Sequence, residues 1–199
     1  MDGADSLLVL ASASPRRTDL LREWGVAHQV RPARLEEVMP RGLSPSAAVI
    51  ALARQKAASV CAQLRAEKST TKKTWVLGSD TVVYLSEEAL GKPRDDADAR
   101  QMLARLAGRK VDVVTGVVLM NVNGTEILEG SCCSTCTMCS YSSADIDAYV
   151  ATGEPRDKAG SFAIQGLGSA LVAELKGSRS NVIGLPKSLV MDLLAKAGF

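Results

Sequence analysis

A single acidic residue, Asp80, stands inside the apolar run W-V-L-G-S-D-T-V-V at residues 75–83. Burying a carboxylate costs free energy unless it is hydrogen-bonded, paired with a cation or bound to a metal ion. Asp80 is therefore either a structural hydrogen-bond acceptor or a group that binds a ligand or takes part in catalysis. Thr81, the next residue, adds a hydroxyl group at the same point of the chain.

The run S-A-S-P-R-R at residues 12–17 follows an apolar segment and has the features of an anion site. Ser14 followed by Pro15 predicts the start of a helix. A helix N-terminus offers unpaired N–H groups and a partial positive charge, which suit phosphate oxygens. Arg16 and Arg17 would add guanidinium groups for bidentate phosphate contacts. The alternative is a capped helix with two solvated arginines.

Three further charged residues could act with Asp80 on a phosphate or a metal ion. Glu37 could share Mg²⁺ with Asp80, because this hard cation prefers oxygen ligands. Lys56 lies among apolar neighbours in a helical pattern, and Lys92 lies in a G-K-P turn that could direct its ammonium group at a phosphate. For each of the three, the alternative is a solvated surface charge.

A glycine-rich run, G-E-P-R-D-K-A-G-S-F-A-I-Q-G-L-G, occupies residues 153–168. Glycines let the backbone approach a ligand closely. Gln165 within this run is a polar amide that we predict to lie in apolar surroundings, where it could recognise the edge of a base by donor–acceptor pairing.

Alternating strands and helices must position these side chains. Apolar and β-branched runs predict strands at 7–11, 27–30, 75–83, 111–122, 126–141 and 170–175. Helical spacing predicts helices from 15 to a stop at Gly25, and at 45–66, 96–106 and 186–197. A further helix is predicted up to residue 151, with Ser143 as its cap. The pair Asn123-Gly124 predicts a hairpin. This order favours an α/β fold with a mixed, twisted sheet and flanking helices.

Composition narrows the possible functions. The length of 199 residues suits one domain, or two small lobes sharing a core. A net charge of +2 and an aromatic content of 4% argue against a nucleic-acid polymer as partner. No run approaches the roughly 20 apolar residues of a membrane helix, and no signal peptide is evident, so we expect a cytoplasmic protein. The single histidine lies in a plain strand context, which disfavours a Ser-His-Asp mechanism.

Four of the five cysteines cluster at Cys132, Cys133, Cys136 and Cys139. Such clustering can indicate a metal or redox site. However, residues 131–141 are predicted to form a strand, in which alternate side chains point to opposite faces. Cys132 and Cys136 would then face away from Cys133 and Cys139, which disfavours convergence on one ion.

Together these segments resemble the Maf family of nucleoside-triphosphate pyrophosphatases. The resemblance runs in order along nearly the whole chain. Its segments are L-A-S-A-S-P-R-R at 10–17, L-A-R-Q-K-A at 52–57, L-G-S-D-T-V-V at 77–83, G-K-P-R-D at 91–95, M-L-A-R-L-A-G at 102–108, Y-V-A-T-G-E-P-R-D-K-A-G at 149–160, I-Q-G-L-G at 164–168 and N-V-I-G-L-P at 181–186.

The resemblance implies a single domain spanning residues 1–199, with two lobes around a substrate cleft as in inosine-triphosphate pyrophosphatases, and a homodimer. It implies cleavage between the α- and β-phosphates with a divalent metal, Mg²⁺ or alternatively Mn²⁺ or Co²⁺. The implied site residues fall into three groups. They are Asp80 and Glu37 as catalytic carboxylates and metal ligands, Lys56 and Lys92 as further catalytic groups, and Ser12, Ser14, Arg16, Arg17, Thr81 and Gln165 as substrate-binding groups.

The S-P-R-R and I-Q-G-L-G forms resemble the subgroup that prefers dTTP and UTP, which implies removal of these or modified pyrimidine nucleotides from the nucleotide pool. Two alternatives remain open from the sequence. One is a nucleotide-binding regulator of cell division that does not catalyse. The other is a redox or metal sensor built on the cysteine strand.

Overall fold

The computed structural model describes residues 6–35, 38–40, 42–67 and 73–199. Its strands are β1 Ser6–Leu10, β2 Gln29–Val30, β3 Lys73–Leu85, β4 Glu88–Leu90, β5 Lys110–Asn121, β6 Ile127–Met138 and β7 Val172–Lys176. Its α-helices are α1 Pro15–Glu23, α2 Pro45–Ala66, α3 Asp96–Leu106, α4 Ser143–Ala151, α5 Arg179–Ile183 and α6 Lys187–Ala197. Short 3-10 helices lie at Glu154–Asp157, Ala159–Ser161 and Gly166–Leu171.

The strands form one seven-stranded sheet in the order β2-β1-β3-β5-β6-β7, with β4 paired to β3. β1 runs parallel to both β2 and β3, whereas β3 and β4, and likewise β6 and β7, pair antiparallel. The mixed α/β class predicted from the sequence is therefore confirmed. None of the helices among the described residues is long and apolar enough to cross a membrane.

The chain divides into two compact units. Unit 1 comprises residues 1–80, 115–132 and 184–199, and unit 2 comprises residues 81–114 and 133–183. The path of β3 passes from unit 1 to unit 2 between Asp80 and Thr81.

In unit 1, helix α2 packs directly on the sheet. Its buried apolar residues join those of β1, β3 and β5 in one cluster, formed by Val9, Ala11, Ala53, Ala57, Val60, Cys61, Leu64, Val76, Val118, Met120 and Val122. Gly78 on β3 makes this contact close, since a Cβ atom there would lie 2.2 Å from the carbonyl oxygen of Ala53. Only a glycine permits the backbone of α2 to approach β3 at this point.

Unit 2 has its own apolar core. Its buried members come from β3, α3, β5, β6 and α4 and from the segment after α4, and they include Val83, Leu103, Leu106, Val113, Met138, Tyr149 and Phe162. Helix α3 begins at Asp95, whose side chain accepts the backbone N–H of Asp98, and α4 begins with a reciprocal capping box between Ser142 and Asp145.

Several local predictions differ from the structure. The cap of α4 is Ser142 rather than Ser143, because Ser142 accepts the N–H of Asp145. β6 ends at Met138, so Cys139 lies beyond the strand. β4, α5 and the short 3-10 helices were not predicted, since elements of three to six residues carry too little periodicity to stand out.

Candidate functional site

Asp80 and Lys56 form a buried ion pair in unit 1. The Nζ of Lys56 lies 2.6 Å from Oδ1 of Asp80, and the two side chains are only 11% and 9% exposed. α2 presents Lys56 on the face that carries Leu52 and Ala53, and the close approach at Gly78 brings this face against β3. The ammonium group compensates the cost of removing the carboxylate from water. Two oppositely charged groups are thus fixed at the point where phosphate chemistry was predicted.

Arg17 is buried and acts as a clamp within unit 1. Its Nε donates to the carbonyl oxygen of Gly184 at 3.0 Å, and its Nη1 donates to Oγ of Ser12 at 3.1 Å and to the carbonyl oxygen of Ser79 at 2.8 Å. Oγ of Ser79 also donates to Gly184, at 2.9 Å. Arg17 therefore joins the turn before α1 to the residue that precedes Asp80, a structural role that the sequence did not reveal.

The turn before α1 keeps the character of an anion site. Ser14 occupies the N-cap position as predicted, but its side chain makes no capping hydrogen bond. Its backbone N–H donates instead to Oγ of Ser12 at 3.2 Å. The first turn of α1 carries no acidic residue, and Arg16 is half-buried beside it. No carboxylate of this turn therefore offsets the positive end of the helix dipole.

The predicted lysine turn lies in unit 2, after β4. Lys92 is exposed, and the carbonyl oxygen of Gly91 accepts the N–H of Gly160 at 2.9 Å. The next residues are also held, because Asp98 accepts the backbone N–H of Arg94 at 3.0 Å. The backbone on both sides of Lys92 is thus fixed while its ammonium group is accessible.

Gln165 also lies in unit 2, at the start of the last 3-10 helix. The prediction that it lies in apolar surroundings is wrong: Gln165 is exposed, as are Gly166 and Leu167 after it, whereas Ile164 before it is buried. An exposed amide can still pair with a ligand. Thr81, at the start of unit 2, is half-buried.

Glu154 organises the segment around Gln165, although it was not predicted as a site residue from the sequence. Its carboxylate accepts the N–H of Leu167 at 3.1 Å, the N–H of Gly168 at 3.0 Å and the hydroxyl of Tyr149 at 3.1 Å. Burial acts to raise the pKa of Glu154, but these donors outweigh it and the pKa is lowered. A carboxylate inside a glycine-rich run was the one available signal for this role.

Glu37 lies outside the described residues, so the predicted pairing of Glu37 with Asp80 stays a prediction. Within unit 1 the structure brings together Asp80 and Lys56, and Ser12 and Arg17. Thr81, Lys92 and Gln165 belong to unit 2. The roles of all these residues in binding or catalysis stay predictions.

A hard divalent cation fits the chemistry of this site. Among the described residues no group of three or more His, Cys, Asp or Glu side chains could hold a metal ion. Mg²⁺ does not need such a group, because it keeps several waters and binds through one or two carboxylates together with substrate phosphates. The carboxylate of Asp80 is a donor of this kind, and Glu37 would be a second.

The four clustered cysteines differ in their burial. Cys136 is fully buried on β6, Cys133 is exposed, and Cys132 and Cys139 are half-buried. This pattern agrees with the predicted alternation of Cys132, Cys133 and Cys136. Burial raises the pKa of the Cys136 thiol to about 11, which disfavours the thiolate that binds metals and reacts with oxidants.

Fold and site together define a mixed α/β protein with a buried carboxylate–ammonium pair beside a basic strand-to-helix turn. A model of the Maf-like protein family matches residues 7–197, and the chain belongs to this family.

Relatives match over nearly their whole length. A dTTP/UTP pyrophosphatase of Anaeromyxobacter sp. (strain Fw109-5) is 45% identical over 96% of this chain and 89% of its own. A dTTP/UTP pyrophosphatase of Myxococcus xanthus (strain DK1622) is 43% identical, and the match covers 100% of this chain and 96% of the relative. A HAM1 protein from Coxiella burnetii has a similar fold, with a TM-score of 0.51 at 17% identity over 94% of this chain and 98% of that one.

Proposed function

We propose that this chain hydrolyses a nucleoside triphosphate to the monophosphate and pyrophosphate. The observation that carries the proposal is the buried pair of Asp80 and Lys56, held at 2.6 Å in a chain whose relatives are dTTP/UTP pyrophosphatases. In this reaction water attacks the α-phosphorus, the bond from that phosphorus to the bridging oxygen breaks, and pyrophosphate leaves.

The charged groups have distinct roles in the proposed reaction. Asp80 or Glu37 orients the attacking water or accepts its proton. The ammonium groups of Lys56 and Lys92 stabilise negative charge that grows on the phosphates and on the leaving pyrophosphate. Arg16 binds phosphate oxygens together with the N-terminus of α1.

The proposal assigns substrate binding to Ser12, Ser14 and Arg17, and a structural role as well to Arg17. They line the turn that binds the triphosphate, and Arg17 also holds this turn to the carbonyl oxygen of Ser79, next to Asp80, at 2.8 Å. The binding turn and the catalytic carboxylate are thereby kept at a constant separation, which reduces the cost of ordering them when substrate binds.

A divalent cation, Mg²⁺ or alternatively Mn²⁺ or Co²⁺, would be held by Asp80 and Glu37. When bound it supplies charge neutralisation on the triphosphate and a lowered pKa for a bound water. Its support is the donor chemistry of the buried carboxylate of Asp80.

We propose dTTP, UTP and modified forms of them as substrates. The support is the name of the relatives and the exposed amide of Gln165, which offers both a donor and an acceptor to a base. Thr81 would contribute to the same selection.

The family resemblance also supports a cytoplasmic homodimer that acts on free nucleotides rather than on a nucleic-acid polymer or a membrane. Light scattering after gel filtration tests the dimer.

The deciding experiment is a pyrophosphate-release screen of canonical and modified triphosphates with Mg²⁺, on the unaltered chain and on Asp80→Asn. The asparagine keeps the shape of the side chain and removes its charge. We expect a loss of turnover of at least about a hundredfold, in the range of general-base removal. Asp192→Asn, an exposed carboxylate on α6, is the matched control and should keep full activity.

The screen also separates the rival function. A regulator that binds nucleotides without catalysis would retain nucleotide affinity in calorimetry and release no pyrophosphate from any triphosphate. Near-normal turnover in Asp80→Asn would contradict the catalytic assignment of Asp80 even if the chain is an active pyrophosphatase.

A further inference from the structure

The backbone that follows Gln165 is held by one carboxylate. Glu154 accepts the N–H of Leu167 at 3.1 Å through Oε2 and the N–H of Gly168 at 3.0 Å through Oε1. Both donors belong to the 3-10 helix that begins directly after Gln165. A single side chain thus fixes two consecutive peptide groups of a glycine-rich segment that would otherwise have many conformations.

The same carboxylate is tied to the segment that precedes Gln165. The hydroxyl of Tyr149, on α4, donates to Oε1 of Glu154 at 3.1 Å. Tyr149 is only 6% exposed, so its ring is anchored in the core of unit 2. Gly168 packs so closely here that a Cβ atom would lie 2.4 Å from the hydroxyl oxygen of Tyr149.

A third side chain fixes the residue immediately before Gln165. Nη2 of Arg179, on α5, donates to the carbonyl oxygen of Ile164 at 2.7 Å. The backbone is therefore held on both sides of Gln165, by Arg179 before it and after it by Glu154, which in turn accepts the hydroxyl of Tyr149. The side chain of Gln165 between these points is exposed and available to a ligand.

We propose that Tyr149, Glu154 and Arg179 are positioning residues that fix Gln165 for selection of the nucleobase, an inference that rests on the proposed triphosphate hydrolysis. We refer to these three residues as the Gln165 clamp. An amide distinguishes bases only when its donor and acceptor meet the complementary groups of one base and leave those of another unpaired. Holding the backbone before substrate arrives also removes an ordering cost from binding.

The test measures the ratio of kcat/KM for UTP to kcat/KM for GTP in Glu154→Gln and Tyr149→Phe. Glutamine offers one carbonyl oxygen where two backbone N–H groups need acceptors, and phenylalanine keeps the ring but removes the hydroxyl. We expect the ratio to fall about five- to tenfold in Glu154→Gln, which is the range for the loss of one hydrogen bond. The fall in Tyr149→Phe should be smaller. Glu174→Gln, an exposed glutamate on β7, should leave the ratio unchanged.

A double-mutant cycle with Gln165→Ala shows whether the clamp acts through Gln165. If it does, adding Glu154→Gln to Gln165→Ala changes the ratio no further. A merely structural role would leave the ratio intact, because it would reduce kcat/KM equally for both nucleotides. An unchanged ratio would therefore overturn the proposal, whatever happens to the unfolding midpoint. If Glu154→Gln does not fold, the same comparison made with Tyr149→Phe distinguishes positioning from a structural role.

A failure of the proposed hydrolysis can be distinguished from a failure of the Gln165 clamp. If the unaltered chain releases no pyrophosphate from any triphosphate, the hydrolytic activity is refuted, and the ratio of Kd values for non-hydrolysable analogues of UTP and GTP then tests the clamp. A ratio that drops in Glu154→Gln supports the clamp in a binding protein. An unchanged ratio refutes it.

Discussion

At the scale of single residues, the buried pair of Asp80 and Lys56 carries a structural cost. Removing two charges from water costs several kcal/mol per ion, and their attraction recovers this only in good geometry. The 2.6 Å contact between Nζ and Oδ1 meets that condition. Replacing a buried ion pair by apolar residues of similar volume is often neutral or stabilising in proteins, so the pair is weak evidence for stability, in keeping with the catalytic role proposed above.

The first prediction concerns Lys56→Met, which leaves the buried carboxylate of Asp80 without its ammonium partner. We expect a loss of about 3 kcal/mol in the free energy of unfolding, as found when one member of a buried ion pair is removed. Urea unfolding measures this loss. Lys196→Met, which removes an exposed lysine of α6, is the control and should unfold as the unaltered chain does.

The double variant Lys56→Met with Asp80→Asn sharpens this prediction. Neutralising both members removes the uncompensated charge, so the double variant should be more stable than Lys56→Met alone while remaining inactive. If it is less stable by the sum of both single changes, the two groups do not act as a pair.

The second prediction concerns Arg17, whose guanidinium reaches three acceptors from one side chain, Oγ of Ser12 and the carbonyl oxygens of Ser79 and Gly184. A lysine has one ammonium group and lacks the planar fork that spans them. Arg17→Lys should therefore lower the free energy of unfolding by about 2 kcal/mol, measured by urea unfolding. The control is Arg22→Lys, which changes an exposed arginine on the same helix and should unfold as the unaltered chain does. Equal stability of the two variants would show that the three contacts of Arg17 do not stabilise unit 1.

The burial of charged residues was predictable where the local sequence already creates a conflict. Asp80 stood out because a carboxylate interrupts an apolar strand, and Lys56 because it lies on a helix face with apolar neighbours. The contacts of Arg17 and Glu154 were not predictable. Their partners are mostly backbone groups, such as Gly184 and Gly168, whose identity leaves no mark in a sequence.

At the scale of elements, the close contact between α2 and β3 determines the geometry of the site. Gly78 lies on β3 two residues before Asp80, and a Cβ atom there would lie 2.2 Å from the carbonyl oxygen of Ala53 and 3.0 Å from the backbone nitrogen of Ala57. Lys56 lies on α2 between these two residues. The absence of one side chain on the strand therefore brings the lysine to its partner.

The third prediction is that Gly78→Ala moves α2 away from β3. The obstructing atoms are backbone atoms of a 22-residue helix and cannot move aside locally. We expect a loss of about 3 kcal/mol in the free energy of unfolding, in the range for overpacking, and a loss of turnover. Gly91→Ala is the matched control, because a Cβ atom there meets nothing within 4 Å. Similar stability of both variants would show that the helix can shift at little cost.

The fourth prediction concerns pH and the segment after α4. The folded state lowers the pKa of Glu154 from its ordinary value of 4.5, so its contribution to stability is complete above that value and declines as pH falls through the lowered one. The stability difference between the unaltered chain and Glu154→Gln should therefore be largest at neutral pH and shrink in acid. Urea unfolding at pH 7, 4.5 and 3, which bracket the ordinary glutamate pKa, measures it. A difference that stays constant with pH would contradict the role of the ionised carboxylate.

Elements with long periodic patterns were predicted well, and short ones were not. α2 and α3 have the predicted bounds, because Ser44-Pro45 and Asp95 mark their starts and their apolar spacing spans several turns. The segment 153–171 was predicted only as glycine-rich. Its three 3-10 helices depend on glycine conformations and on the distant side chain of Glu154, which local propensity does not encode.

At the scale of the whole molecule, the chain builds two compact units on strands that pass through both. Three long strands, β3, β5 and β6, each contribute residues to unit 1 and to unit 2. The charged pair lies in unit 1, and Lys92 and Gln165 lie in unit 2. The order of motifs along the chain predicted the family and the mixed sheet, but not which unit each site residue would join, since that depends on where the long strands change unit.

The fifth prediction concerns removal of divalent metal from the whole protein. Apolar side chains form the cores of both units, and the described residues contain no group of three or more His, Cys, Asp or Glu side chains that could hold a metal ion. A cation held by one or two carboxylates and the triphosphate binds weakly before substrate arrives. Chelation with EDTA should therefore abolish pyrophosphate release while leaving the thermal unfolding midpoint unchanged, and added Mg²⁺ should restore the activity.

Calorimetric unfolding with and without EDTA measures the unfolding midpoint, and the pyrophosphate-release assay on the same samples measures the activity. A drop of about 3 °C or more in the midpoint would mean that the metal stabilises the folded state by roughly 1 kcal/mol or more. The ion would then be a structural component bound before substrate. Activity that survives complete chelation would instead place the whole of the charge stabilisation on Lys56, Lys92 and the arginines, and would remove the reason for assigning Asp80 as a metal ligand.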